Sequence, residues 1–148
     1  MQRRPRHRAV GFLVAIALLV AMAAISASTA LSRSAKSEIA VTLGKPGELN
    51  MKVNATSANA GEVAFVVKNK GKLEHEFVLL RTKTPAAKLP AGDEANTVSE
   101  RGFTAELDGI EPSRTVAMVL SLKKGHYVLL CNIEGHYAAG MRSDLTLR

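Results

Sequence analysis

Cys131-Asn132-Ile133-Glu134-Gly135-His136-Tyr137-Ala138-Ala139-Gly140-Met141 holds the only cysteine of the 148-residue chain. It places a thiol, an imidazole and a thioether in one short stretch, at spacings Cys-x4-His and His-x4-Met. Those donors share a preference for soft or borderline metals. An apolar run, Tyr127 to Leu130, leads into the stretch, and Leu145-Thr146-Leu147 follows it. The segment therefore reads as a loop between two extended elements, carrying most of a mononuclear copper site. A fourth donor has to come from elsewhere.

Outward from the loop the hydrophobic period is two. Tyr127, Leu129 and Cys131 share a face, as do Leu145 and Leu147. Towards the N-terminus the alternation recurs in Ile39/Val41/Leu43, Leu49/Met51/Val53, Val63/Phe65/Val67, His75/Phe77/Leu79 and Val116/Met118/Leu120/Leu122. Phe103 to Ile110 is weakly extended. Such alternation marks strands with one face on a core. Turn residues separate the runs at Gly44 to Gly47, Asn54 to Gly61, Asn69-Lys70-Gly71, Glu111-Pro112-Ser113 and Lys123-Lys124-Gly125. Thr82 to Ser99 is a long connection with a short helical turn at Pro85 to Lys88, expected to cross between sheets or to flank a site. Seven or eight short strands with no long helix predict an all-β antiparallel sandwich over residues 38–148.

Two histidines compete to complete the site. His75 opens an alternating run just beyond a glycine turn, and its face also carries Phe77 and Leu79. It points to the core at a strand end. His126 follows Lys123-Lys124-Gly125 and reads as an exposed, idle turn residue. His75 is the better donor, giving His75, Cys131, His136 and Met141. Two imidazoles, a thiolate and a weak axial thioether are the set used for blue-copper electron transfer. Thiolate and imidazole serve both oxidation states of copper, so little rearrangement accompanies the redox step.

The sequence resembles the cupredoxins, the family of plastocyanin, azurin and rusticyanin. The resemblance lies in Gly61-Glu62-Val63-Ala64-Phe65-Val66-Val67-Lys68-Asn69, then His75-Glu76-Phe77, then Gly125-His126-Tyr127-Val128-Leu129-Leu130-Cys131, with Tyr127 four residues before the cysteine. It covers roughly Glu38 to Arg148 and is most specific in the last third. It implies a Greek-key β-sandwich with one type 1 copper at one end, His75, Cys131 and His136 as equatorial ligands, and Met141 as the axial one. The Cys-to-His gap is longer than in plastocyanin. A lone cysteine precludes the azurin disulfide, and Glu76 stands where several relatives carry Asn. Asn132, next to the cysteine, is a substitute candidate for that asparagine's bonding.

The formal charge is +7. Arg3, Arg4, Arg6 and Arg8 supply four of those charges ahead of an uncharged run from Ala9 to Ser32, so the remainder carries +3. No basic stripe with interleaved aromatics is present, which argues against nucleic acid. The basic head, the apolar Ala9 to Ile25 and the tail Ser26-Ala27-Ser28-Thr29-Ala30 read as an export signal over residues 1–30, followed by a linker at 31–37. The alternative is an uncleaved membrane anchor through residues 9–25. Either outcome places the domain outside the cytoplasm, in the periplasm, at the membrane's outer face or outside the cell. One cysteine in an exported chain forms no internal disulfide, which favours a ligand role.

No nucleophile–base pair, P-loop or dinucleotide fingerprint is present, so a non-enzymatic role is expected. A multicopper enzyme would need several further histidines, and only His126 is spare. The expected function is a monomeric, exported electron carrier that docks redox proteins near His136. Tyr137, Ala138 and Ala139 read either as loop filler or as an apolar skin for that docking. The alternative is a copper-binding protein for delivery or storage.

Overall fold

The computed structural model describes residues 37–148. The leader and almost all of the linker expected before the domain lie outside the described residues. No described helix is long and apolar enough to cross a membrane.

Alternating apolar residues become strands wherever one face can be buried. In β1 (Ser37–Leu43), Ile39, Val41 and Leu43 are buried and their neighbours are not. In β4 (Gly61–Asn69), Val63, Phe65 and Val67 are fully buried. These two strands join β2 (Met51–Val53) and β7 (Thr115–Leu122) in a sheet of order β2-β1-β4-β7. The second sheet has the order β3-β9-β8-β5-β6, built from β3 (Ser57–Ala58), β5 (His75–Arg81), β6 (Phe103–Ile110), β8 (Gly125–Leu130) and β9 (Arg142–Leu147). The inner faces meet in one core where Phe65 and Phe77 pack with ring centroids 5.3 Å apart. Each fully buried Val, Leu or Phe contributes about 1.5–3 kcal/mol there.

The sandwich agrees with the sequence reading, but it is not purely antiparallel. β1 runs parallel to β4, and β3 parallel to β9. The cause lies in Asn54 to Gly61, expected as a single polar turn. This segment leaves the first sheet after β2, adds the two-residue β3 to the second, and returns as β4 beside β1. The described residues thus hold nine strands rather than seven or eight.

The long connection after β5 has a structural task. Its 3-10 turn, Ala86–Lys88, and the buried Val98 cover Val78, Leu80, Val128 and Leu130 on the outer face of the second sheet. This explains why β5 and β8 are apolar on both faces. The start of β5, the end of β8 and the start of β9 lie at one end of the sandwich, and they deliver His75, Cys131 and Met141 to the same place.

Candidate metal centre

The ligand loop leaves β8 at Cys131 and returns to β9 at Met141. The Cys131 N–H donates to the Met141 carbonyl at 3.0 Å, so the loop's two ends are pinned together. Between them is the one-turn helix α1 (His136–Ala139). Gly135 precedes it at φ 80° and Gly140 follows at φ 124°, backbone angles that side-chain-bearing residues seldom adopt. The His136 N–H donates to Ile133 O at 2.9 Å, and the Met141 N–H to His136 O at 3.1 Å. The imidazole is thereby turned inward over the cysteine.

The sequence places four residues in the site. His75 Nδ1 lies 3.3 Å from His136 Nδ1, and Cys131 Sγ lies 3.3 Å from the same nitrogen. The donor atoms of His75, Cys131 and His136 all fall within 4.8 Å of one another. His75, Cys131 and Met141 are fully buried, and His136 is 9% exposed. Met141 closes the loop beside them. A first-row ion about 2 Å from its nitrogens and about 2.3 Å from sulfur requires donors roughly 3.5 Å apart. Two convergent Nδ1 atoms and a thiol at this spacing therefore fit such an ion, and a soft donor set with a nearby thioether fits copper.

Burial pushes the Cys131 thiol up to about 11, against backbone N–H donors that pull it down. One of these is the Glu76 N–H, 3.4 Å from Sγ. Burial and then the neighbouring His75 lower the His136 pKa. Without metal the site is thus an uncharged thiol beside an imidazole disposed to be neutral. Around Glu76, burial raises the carboxyl, the Asn132 N–H bonded to it opposes that, and Glu106 and Glu100 raise it further.

The Glu76 and Asn132 expectations resolve into separate tasks. Glu76 replaces asparagine without loss of the sulfur bond, because that bond comes from its backbone. Its side chain accepts the Asn132 N–H instead. The Asn132 amide turns away from sulfur. It accepts from Val98 N at 2.8 Å and donates to Val98 O and Glu100 Oε1, both at 2.9 Å. The connection before β6 is thereby strapped to the ligand loop. Tyr137 is tied to the fold rather than loose filler: its hydroxyl donates to Ala86 O, and Arg142 sits 4.8 Å from its ring centroid. Ala138 and Ala139 are exposed.

His126 stands outside the centre, as expected, yet it is not idle. Its ring bonds Thr82 O at 2.7 Å and Asp144 Oδ1 at 2.8 Å. Two other residues support the site without having been expected there. Buried Asn69 donates to Leu73 O and Ile110 O and accepts from Gly71 N, each at 2.8 Å, shaping the turn that delivers His75. Glu48, from the segment between β1 and β2, reaches under His75. Only the three-dimensional turn brings these groups to the site.

Residues 18–148 match the model of the sulfocyanin (SoxE) domain. The chain belongs to that family. Sulfocyanin domains are of the cupredoxin type, and the fold bears this out. The copper-resistant cuproprotein CopI of Pseudomonas aeruginosa is 28% identical over 131 residues, spanning 69% of this chain and 72% of that protein. Rusticyanin from Thiobacillus ferrooxidans superposes with a TM-score of 0.59 at 20% identity, over 78% of this chain and 79% of that one. Auracyanin from Roseiflexus castenholzii gives 0.54 at 23% identity, over 78% and 98%. The sulfocyanin domain thus shares the cupredoxin β-sandwich, and its His75, Cys131 and His136 cluster, with Met141 nearby, is consistent with one type 1 copper.

Proposed function

We propose that His75, Cys131 and His136, with the thioether of Met141, would hold one copper ion, and that the domain is an electron carrier. The observation that carries this reading is the buried convergence of two Nδ1 atoms and Sγ at 3.3 Å contacts. When bound, copper supplies a one-electron couple between its cupric and cuprous states. The chain's residues do the rest. Cys131 gives up its proton on loading. His75 and His136 present preset nitrogens from a strand end and a glycine-bracketed turn. The closed backbone ring between Cys131 and Met141 and the apolar core beneath restrict movement and water, which favours a small reorganisation on electron transfer.

His136 is the donor nearest the surface, and exposed Ala138 and Ala139 lie two and three residues along. A redox protein docking there would reach the centre through the imidazole. The leader-like residues 1–30 support export to the periplasm or beyond, with cleavage or anchoring through residues 9–25 as the two routes. A monomer suffices, since one chain provides every donor.

The similarity to CopI favours a second reading, copper delivery or storage on the same ligands. Two rates on the copper-loaded domain separate them. Stopped-flow oxidation of the cuprous form by hexacyanoferrate is compared with copper removal by a strong cuprous chelator. An electron carrier is oxidised fast and surrenders copper slowly. Slow oxidation with fast surrender assigns the domain to copper transfer.

A further inference from the structure

His75 Nε2 is the one buried side-chain polar atom among the described residues that makes no well-aligned hydrogen bond. The acceptor standing beside it is Glu48 Oε1, at 3.3 Å but oblique to the ring. Leaving a buried polar nitrogen unpaired is costly, so such an atom marks a constraint. His75 Nδ1 faces His136 and the thiol, so ligation through that atom puts the ring proton on Nε2, towards Glu48.

The Glu48 carboxylate is itself anchored. Oε1 accepts the Lys72 N–H at 2.8 Å and the Leu73 N–H at 2.9 Å, and Oε2 accepts the Lys72 N–H at 3.0 Å. These are donors from the turn that leads into His75. A carboxylate has about four acceptor positions, so it can serve these amides and the ring together. The packing makes room for it. A Cβ on Gly71 would stand 2.2 Å from Glu48 Oε1, and one on Gly44 would stand 2.4 Å from the Gly71 Cα. Two glycines in contact thus open the space that the carboxylate occupies.

We propose that Glu48 is a positioning residue for the metal centre: a fixed carboxylate that holds His75 in its Nε2–H tautomer and biases the site towards the more highly charged metal ion. This rests on the copper reading above. A partner on a ligating imidazole fixes the ring and raises its basicity. A negative charge one imidazole away from the ion favours the cupric over the cuprous state, so Glu48 keeps the reduction potential down.

The test compares wild type with Glu48→Gln and Glu48→Ala in two measurements. Nitrogen-15 NMR of the metal-free domain reads the His75 tautomer. Voltammetry of the copper-loaded domain reads the potential. Glu48→Gln keeps an acceptor oxygen and removes the charge. It should retain the tautomer and shift the cuprous-to-cupric preference about tenfold, a rise of about 59 mV for one electron. Glu48→Ala should mix the tautomers and raise the potential at least as far. A carboxylate that merely joined two turns would lower Tm in both variants and leave the potential in place. A wild-type potential in folded Glu48→Gln overturns the proposal. Should wild type take up no type 1 copper, the reading under Proposed function fails, and the tautomer then decides alone: a single Nε2–H form in Glu48→Ala overturns the role of Glu48.

Discussion

The Glu76 backbone N–H points at the Cys131 sulfur across 3.4 Å, while the Glu76 carboxylate accepts the N–H of the next residue, Asn132. Strand β5 and the ligand loop are therefore joined in both directions, and only one of the two bonds depends on the side chain. Glu76→Ala should leave the Asn132 N–H without its partner and cost about 1–3 kcal/mol. The bond to sulfur should survive. Thermal unfolding should register the loss, while the visible absorption of the copper-loaded variant keeps its wild-type position.

Asn132→Ala tests the strap between the ligand loop and the connection before β6. It removes two bonds to Val98 and one to Glu100. The Val98 amide should exchange with solvent markedly faster, and stability should fall by about 1–3 kcal/mol. Hydrogen-exchange NMR over residues 91–100 checks this. Unchanged protection at Val98 would show that the strap is held elsewhere.

Loading the site should release a proton. The metal-free Cys131 thiol, pushed up to about 11 by burial, is protonated at neutral pH, and its thiolate is the ligand. Copper titration in weak buffer near pH 7 should liberate about one proton per ion, and apparent affinity should fall about tenfold for each unit of acidification. The same shift sets a sign for the metal-free fold. The folded thiol holds its proton more tightly than the unfolded one. Its stabilising contribution is therefore complete below the ordinary thiol value and is lost as pH rises towards 11.

Glu106 should behave in the same direction over the acid range. Burial, and then Glu100 and Asp108, raise its carboxyl above the usual value. The folded domain therefore binds this proton more readily, and stability falls as pH climbs from the ordinary carboxylate range through the raised one. Glu106→Gln should raise Tm slightly at pH 7 and have no effect once Glu106 is protonated in the wild type. Paired thermal scans at the two pH values check this.

His126→Ala separates framework from centre. It removes the bonds to Thr82 and Asp144, and Asp144 also accepts the Ala86 N–H at 2.8 Å. Tm should fall, with about 0.5–3 kcal/mol lost. The copper absorption should be untouched, because no part of the centre passes through His126.

The sandwich was legible because a strand's side-chain period is two, and Ile39 to Leu43, Val63 to Val67 and Val116 to Leu122 keep it. The donor set was legible because Cys131, His136 and Met141 are local in sequence and histidines are scarce. Parallel pairing of β1 with β4 was not, since alternation is blind to strand direction and β3 is only two residues long. Asn69, Glu48 and Asn132 were hidden for another reason. Their partners lie 41, 25 and 34 residues away, and a polar residue in a turn looks the same whether it faces water or a ligand. His126 misled similarly: it follows a lysine turn, but β9 brings Asp144 to its ring.

The most direct measurement is a paired optical and electron-spin-resonance spectrum of the copper-loaded domain and its Cys131→Ser variant. A thiolate held with His75 and His136 predicts an intense visible charge-transfer band and a narrow copper hyperfine splitting in the wild type, both lost in Cys131→Ser. A colourless cupric wild type, or a band that persists without the thiol, would contradict a type 1 copper centre.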